Sequence, residues 1–386
     1  MPASTARNNS PDSLTPSSNV KTLKSILTNV VFGANVVAVL IMVAVGYSDV
    51  VPPDVSAYAA CAGLIFPLTC ILNLVFILLW LFIHWQRMWL SVLGFLCTYG
   101  PIHNYMPLHL EADVPEEGVL KVMTYNVCGY TADSDYPMER FDTIRDYIAA
   151  QQPDIVCLQE DNSQPKKGPK SFSSVFAYND TTHVSNNNRG MVNMVGLHTR
   201  FPIIRKERIR YKSDANGSVA YFLRLDSGDT LIVVNNHLET THLNQKERSR
   251  YKDMLRGQMT RDTVEAETRH LVNKLGAAMV LRAPQAQAVS RWVRLHADRY
   301  PVIVCGDFND TPISYTHRTV GRGLTDCFVE TGRGLGLTYN QKGFNLRIDH
   351  IFCSDQLKPI NTVVDSKFAC SDHYPVISWL KISDNH

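Results

Sequence analysis

The hydrophobic pattern divides the chain into a polar start, an apolar segment of some eighty residues and a long region of short apolar runs. Residues 1–20 (MPASTARNNSPDSLTPSSNV) bury too little apolar surface to offset their ordering entropy, which predicts a disordered tail. Ser25 to Ser48 is a run of 24 residues without a charged side chain, containing VVFGANVVAVLIMVAVG. As a helix it is long enough to cross a hydrocarbon core about 30 Å thick. A cleaved signal peptide would need a shorter apolar region ending in small residues, which the VAVGYSDVVPP stretch does not supply. A second uncharged run, Val55 to Ile83, holds LIFPLTCILNLVFILLWLFI, with Pro67 predicted to kink the helix without breaking it. A third, Met88 to Ile102 (MWLSVLGFLCTYGPI), has 15 residues, a length at which a span and a buried or interfacial helix both remain open. Together they predict a membrane region over residues 21–107 with about three transmembrane helices.

After an acidic linker, EADVPEEG, apolar runs alternate with turn signals and helix-like stretches: LKVMTYNV, DIVCLQE, MVGLHT, AYFLRL, TLIVVNNHLE, VIVCGDFN, RIDHIFCS and YPVISWLKI. Such runs are buried strands, and segments such as ERFDTIRDYIAAQQ between them read as helices, so residues 118–383 form a mixed α/β domain. One long interruption, residues 241–300, carries apolar positions at helical spacing on both sides of Pro284 and predicts an inserted helical pair.

Charge then sharpens the picture. The whole chain carries 38 Lys and Arg against 36 Asp and Glu, too even a balance to demand a polyanionic partner. Residues 241–299 hold 12 basic against 6 acidic residues, a local +6 that reads first as a solvated helical face and second as a band for an anionic substrate or lipid. In the membrane region Arg7, Lys21 and Lys24 precede the first span, only acids lie between Asp49 and Asp54, and Arg87 sits between the second and third spans. Positive charge thus alternates sides, as cytoplasmic retention of basic residues requires. Three spans put the domain outside; two would leave it in the cytoplasm, and the charge pattern favours three. Trp80, Trp85 and Trp89 fit an interfacial belt or a packed helix pair. Nine Cys with no C-x-x-C pair exclude a disulfide scaffold and a thiolate zinc site, and Cys157, Cys305 and Cys353 read as small buried hydrophobes.

The candidate chemistry stands at strand ends: Asn126 in YNV, Glu160 in LQE, His237 in NNHL, Asp307 and Asn309 in GDFND, Asp349 in RIDHIF, and Asp372 and His373 in SDHYPV. Any one of these alone would be a turn residue or helix cap. Six strand ends repeating the arrangement can line one cleft. Carboxylate and amide oxygens suit Mg²⁺ or Mn²⁺, and imidazoles beside them can orient water and stabilise a phosphoryl transition state. Phosphate loops, nucleophile elbows, H-E-x-x-H and dinucleotide fingerprints are missing.

In this order, YNV, LQE, NNHL, GDFND, RIDHIF and SDHYPV resemble the endonuclease/exonuclease/phosphatase (DNase I-like) superfamily over about Leu120 to Leu380, GDFND and SDHYP being the specific pair. The resemblance implies a four-layer α/β sandwich, two mixed sheets with helices outside, preceded here by the transmembrane helical region. It implies Mg²⁺ (or Mn²⁺) held by Glu160, Asn126 and Asp372, with His373 oriented by Asp349. Asp307 would orient or activate the nucleophile, Asn309 position it, and His237 bind a phosphoryl oxygen. The implied activity is hydrolysis of a phosphodiester, in a lipid headgroup or in nucleic acid. The chain also resembles membrane-anchored bacterial members, which implies an integral protein of a bacterial plasma membrane with its catalytic domain on the extracytoplasmic side. The bilayer is the expected partner, and no obligate protein partner is indicated. The alternative is a noncatalytic membrane-bound module that binds phosphorylated ligands.

Overall fold

The computed structural model describes residues 16–110, 112–115, 117–131, 137–163, 171–184, 193–241, 245–341 and 344–383. The first helices are α1 (Pro16–Gly46), α2 (Ala57–Ala62), α3 (Phe66–Ile83), α4 (Trp89–Cys97) and α5 (Tyr99–Tyr105). Residues 1–15 of the expected tail lie outside the described residues, and residues 16–20 correct it: they are helical. Once the apolar part of α1 has nucleated, adding a turn at its polar end costs little. The chain forms two compact units, one made of residues up to 44 with Phe66–Thr98, the other of Val45–Ile65 with Tyr99 onward.

The first unit packs α1, α3 and α4 around buried polar side chains. Asn35 Nδ2 donates to Ser91 Oγ (2.7 Å), Trp80 Nε1 donates to Asn35 Oδ1 (2.9 Å), and Asn73 Nδ2 donates to Ala38 O (3.1 Å). In apolar helices such groups find partners across helices because a buried polar group left unpaired is costly. Arg87, in the turn after α3, donates to Thr28 O (3.0 Å) and Asn29 Oδ1 (2.9 Å) of α1. These contacts make α3 antiparallel to α1. From Ser91 beside Asn35, α4 proceeds to Gly94 beside Val39 and Met42, where a Cβ would come within 2.9 Å of both neighbours. It therefore runs back along α1. Val20–Val50 and Ala57–Ile83 are long and apolar enough to cross a membrane. The third apolar stretch is divided between α4 and α5 at Thr98.

In the second unit, one six-stranded sheet runs in the order β13-β14-β1-β2-β4-β3: β1 (Val119–Asn126), β2 (Ile155–Gln159), β3 (Tyr178–His183), β4 (Met194–Thr199), β13 (Leu357–Val364) and β14 (Val376–Ile382). The other runs β5-β6-β7-β8-β12-β9: β5 (Ile203–Ile209), β6 (Gly217–Arg224), β7 (Thr230–His237), β8 (Val302–Asp307), β9 (Thr325–Asp326) and β12 (Asp349–Cys353). A hairpin, β10 (Tyr339–Gln341) and β11 (Phe344–Leu346), stands apart. Alternation along β1 explains the layering. Val122 joins a core shared with Cys157, Tyr221, Val233, Cys305 and Ile351 of both sheets, whereas Met123 and Tyr125 face α6 (Pro137–Gln151) through Phe141, Ile144 and Ile148. The outer face of the second sheet buries Ile232, Val304 and Phe352 against Ala286, Val289 and Val293. The expected four-layer α/β sandwich is thus present, with helices outside two facing sheets.

The insertion departs from expectation. After α7 (Gln245–Leu255), a single helix α8 runs unbroken from Arg261 to Arg294 through Pro284. Gly276, Met279, Ala283, Ala286, Ser290 and Val293 form one buried stripe on both sides of the proline, so continuous packing offsets the lost backbone bond. Part of the basic band is paired: Arg250 with Glu267, Lys274 and His270 with Glu247, and buried Arg282 with Asp310 beyond β8. α8 also carries a docking face for the segment between the first two apolar helices. Cys61 lies against Met279 (3.7 Å), Tyr58 donates to Asn273 (3.3 Å), and Arg318 of α9 (Tyr315–Val320) pairs with Asp49 (3.2 Å).

A buried pair fixes the far end of the second sheet. Asp326 accepts a bond from His317 Nε2 (2.8 Å) and caps α10 (Cys327–Thr331) through the backbone N–H groups of Phe328 and Val329. Burial favours the neutral carboxyl, but the His317 hydrogen bond and charge outweigh it and hold Asp326 well below the usual carboxylate range. A depressed carboxylate stabilises the fold fully above its ordinary value of about 4, and that contribution is lost as pH falls toward the folded value. Asp326→Asn in the full chain in detergent is expected to lower stability at neutral pH by roughly 1–3 kcal/mol. It should also flatten the loss of thermal stability below about pH 4; an unchanged acid limb would contradict the assignment.

Candidate active site

Strand pairing gathers the motif residues. β1 and β2 are parallel with Asn126 opposite Gln159, and β7 and β8 are parallel with His237 opposite Asp307. β12 enters antiparallel to β8, placing Asp349 opposite Asp307. Four strand ends and one strand start therefore meet at one edge of the sandwich, joined by the segment Ser371–His373 before β14. Gly306 permits the close β7–β8 approach: its φ is +130°, and a Cβ there would lie 2.0 Å from Asn236 O.

The two sheets meet in direct polar contact. Asn126 Nδ2 donates to Asp307 Oδ2 (3.0 Å) and reaches Glu160 Oε1 at 3.4 Å. His237 Nε2 lies 3.8 Å from both Glu160 Oε1 and Asp307 Oδ2, and His373 Nε2 lies 3.7 Å from the same Asp307 oxygen. His373 Nδ1 bonds to Asp349 Oδ2 (2.8 Å), while Asp349 Oδ1 is buried without a hydrogen-bond partner. Asp372 joins through Ser371, whose hydroxyl donates to Asn126 O (2.8 Å) and approaches Asp372 Oδ1 (3.3 Å). Asn309 donates its N–H to Asp307 Oδ1 (2.8 Å) and turns its amide to Leu238 O (3.1 Å). The six motifs thus share one site.

Two of these residues hold strained backbone, Glu160 at φ +56° and Asn309 at φ +53°. Outliers of this kind persist where the surroundings over-determine them. Beneath Glu160, buried Asp161 accepts from Tyr130 Oη (2.6 Å) and lies 3.1 Å from His198 Nε2. Between the sheets, Gln159 Nε2 donates to Asn235 Oδ1 (2.7 Å), and Asn235 Nδ2 donates to Leu158 O (3.0 Å) and Gly196 O (2.8 Å). Thr338 Oγ1 accepts from the N–H groups of Ile348 and Asp349 and fixes the start of β12. Asn193 contacts His237 Nδ1 (3.1 Å). These supports were not singled out from the sequence. Gln159 and Asn235 stand inside the LQE and NNH motifs and offered a signal, whereas Thr338 and Asn193 gave none.

Electrostatics separates the roles. Burial disfavours a charged His373, but Asp349 and Asp307 outweigh it and push the imidazole up to about 10. Burial, then the Asp349 charge, pushes Asp307 up to about 6. Burial pulls His237 below its ordinary value and keeps it neutral. Four carboxylates, Glu160, Asp307, Asp349 and Asp372, converge with one imidazolium as their cationic partner, and Glu160 keeps a side chain 37% exposed toward solvent. A hard divalent cation would balance that charge, and the oxygen-rich donor set fits Mg²⁺ or Mn²⁺ better than zinc. Asp307, Asp349 and His373 by themselves place ligand atoms within 4.8 Å of one another.

Two mixed sheets with carboxylates, amides and imidazoles at one seam define a phosphoesterase of the DNase I-like type. The chain belongs to the Endonuclease/Exonuclease/phosphatase family, whose model matches residues 123–373. Members of that family are phosphoesterases. A Domain of unknown function (DUF8431) matches residues 28–105. No curated protein matches the chain. Among solved structures, the human Nocturnin catalytic domain with bound sulfate anion is 18% identical, covering 72% of this chain and 96% of that one (TM-score 0.48). An endonuclease/exonuclease/phosphatase family protein from Bacteroides thetaiotaomicron is 17% identical, covering 69% and 96% (TM-score 0.48). D. rerio TDP2 complexed with single strand DNA product is 16% identical, covering 69% and 100% (TM-score 0.46).

Metal binding is testable without turnover. Titration calorimetry with Mn²⁺ on the full chain in detergent is expected to give a site that Glu160→Gln weakens at least about tenfold, the worth of one charged ligand. Equal affinity in the variant would exclude Glu160 as a ligand.

Proposed function

We propose that this protein is a membrane-anchored, Mg²⁺-dependent phosphodiester hydrolase. The observation that carries the reading is the cross-sheet contact of Asn126 with Asp307, around which Glu160, His237, Asp349, Asp372 and His373 assemble. Glu160, Asn126 and Asp372 would hold the cation, which when bound neutralises charge on the phosphoryl oxygens. His373, tied at Nδ1 to Asp349, has Nε2 free to donate to a phosphoryl oxygen. Asp307 Oδ2, which lies 3.0 Å from Asn126 Nδ2 and 3.8 and 3.7 Å from the Nε2 atoms of His237 and His373, is placed to orient water and take its proton. Asn309 holds the Asp307 turn through its N–H, and neutral His237 binds a second phosphoryl oxygen.

The membrane reading has structural support within each unit. Residues 45–65 pack on the same unit as the active site, so both lie on one side of any bilayer the chain crosses. Within the first unit α4 runs antiparallel to α3, which supports a third crossing. With Lys21, Lys24 and Arg87 on the opposite side, the domain is extracytoplasmic.

Assayed on bis(p-nitrophenyl) phosphate, the full chain is expected to lose activity to EDTA and in Glu160→Gln. His373→Ala should lower turnover by about 10²- to 10⁴-fold, the usual contribution of a positioned acid or base. Activity surviving both chelation and Glu160→Gln would overturn the metal-dependent mechanism at this site, and metal-independent binding without hydrolysis would replace the hydrolase reading by a binding module. For topology, protease added to intact cells is expected to digest a C-terminal epitope tag and spare an N-terminal one; identical fates for the two tags would exclude three crossings.

A further inference from the structure

The inserted helix α8 contributes no group to the reaction, yet it drives a guanidinium into the fold: Arg282 is 1% exposed. Its Nε donates to Asp310 Oδ2 (3.3 Å) and its Nη1 to Glu239 O (2.9 Å). One turn further, Gln285 donates to Glu239 Oε2 (3.1 Å) and accepts from the Glu239 N–H (2.9 Å). Glu239 stands two residues past His237, and Asp310 follows Asn309. A buried ion pair is weak evidence of stability, because desolvation cancels much of the attraction and an apolar pair of similar volume would hold the helix as well. What the guanidinium adds is geometry. One planar fork reaches two loops at a fixed angle, which neither an apolar side chain nor the single ammonium of Lys can do.

Asp310 is where the loops of the second sheet meet. Its carbonyl oxygen lies 3.0 Å from His350 Nε2, beside Asp349, and its Oδ1 accepts from the Thr311 N–H (3.2 Å). The loops after β7 and β8 are also bonded to each other: Leu238 N–H donates to Asp307 O (3.0 Å), and Leu238 O accepts from Asn309 Nδ2 (3.1 Å). Arg282 closes the same joint from the helix side. His237 depends on that joint, because its Nε2 is 3.8 Å from Glu160 and Asp307, too far for a hydrogen bond to fix it. Asn193 meets the ring only at Nδ1, so the reach of Nε2 into the seam follows the backbone of its loop. The helix is itself seated from behind. Met279 lies against Cys61 (3.7 Å), and at Gly276 a Cβ would come within 2.7 Å of Ala57 Cβ.

We propose that Arg282 is a positioning residue of the reaction: by tying Glu239 to Asp310 it holds His237 Nε2 at its distance from Asp307, so that both side chains address one phosphoryl group. The proposal rests on the hydrolase reading and adds to it a residue that touches neither cation nor substrate. Arg282 acts on the second sheet alone, since Asn126, Glu160 and Asp372, the residues that would hold the cation, border strands of the first.

Arg282→Lys keeps a cation beside Asp310 and gives up the fork. In the full chain in detergent it is expected to lower kcat/KM on bis(p-nitrophenyl) phosphate by about tenfold, as loss of one charge-assisted hydrogen bond does. Mn²⁺ affinity by calorimetry should stay as in the native chain. In a His237→Ala background the same change should cost less than about twofold, because a residue that acts through His237 has nothing left to position. Equal losses in both backgrounds, an unchanged kcat/KM, or a parallel fall in Mn²⁺ affinity would overturn the positioning role while the hydrolase reading stands. Should Arg282→Lys fail to fold, the pair Arg282→Met with Asp310→Asn, which removes both charges together, takes its place with the same expected outcomes. Should the native chain hydrolyse nothing, the hydrolase reading fails, and calorimetry with inorganic phosphate on the Mn²⁺-loaded protein decides the role of Arg282 by itself. Phosphate is then expected to bind about tenfold more weakly to Arg282→Lys, and no more weakly still when His237→Ala is added; equal affinity in the native chain and Arg282→Lys would overturn it.

Discussion

The structure depends on holding several negative charges together at a seam between two sheets. Glu160 follows β2, Asp307 ends β8, Asp349 begins β12, and Asp372 precedes β14. Their mutual repulsion would splay the strand ends unless something else fixed the register. That restraint is built from neutral bonds. Asn126 reaches from the first sheet to Asp307 in the second, and Gln159 and Asn235 bridge the sheets directly beneath. Each bridging amide would cost about 1–3 kcal/mol if left buried without its partner, so a shift of one sheet against the other is opposed at several points.

This constraint explains the strain around the site. Glu160 and Asn309 take left-handed backbone because the β2 and β8 ends must turn sharply to present their side chains, and Asp161, locked to Tyr130 and His198, holds the first of these turns. It also explains why the imidazoles differ. His373 is hydrogen-bonded to Asp349 at 2.8 Å and is held charged, whereas His237, equally buried but 3.8 Å from Glu160 and Asp307, is held neutral. One scaffold thereby supplies a cationic donor and a neutral one within a few ångströms.

Much of this was legible in the chain because buried strands are near-continuous apolar runs, and a polar residue ending such a run is conspicuous. Asn126, Glu160, His237, Asp307, Asp349 and His373 could be placed at strand ends without coordinates. Their convergence could not, since it depends on the parallel pairing of β1 with β2 and of β7 with β8. Supports such as Thr338 were invisible because a buried threonine accepting backbone bonds looks like any other in sequence. The inserted helix was misjudged at Pro284 for a related reason. Local propensity argues for a break, but the buried stripe from Gly276 to Val293 is continuous, and packing over the whole length prevails.

The account stands or falls on a divalent cation at the seam. Anomalous diffraction from crystals of the protein grown with Mn²⁺ locates that ion directly. The account predicts a peak in ligand contact with the Glu160 carboxylate, on the Asn126 side of Asp307. A well-ordered Mn²⁺ found only elsewhere, with Glu160, Asp307 and Asp372 making no metal contact, would contradict it.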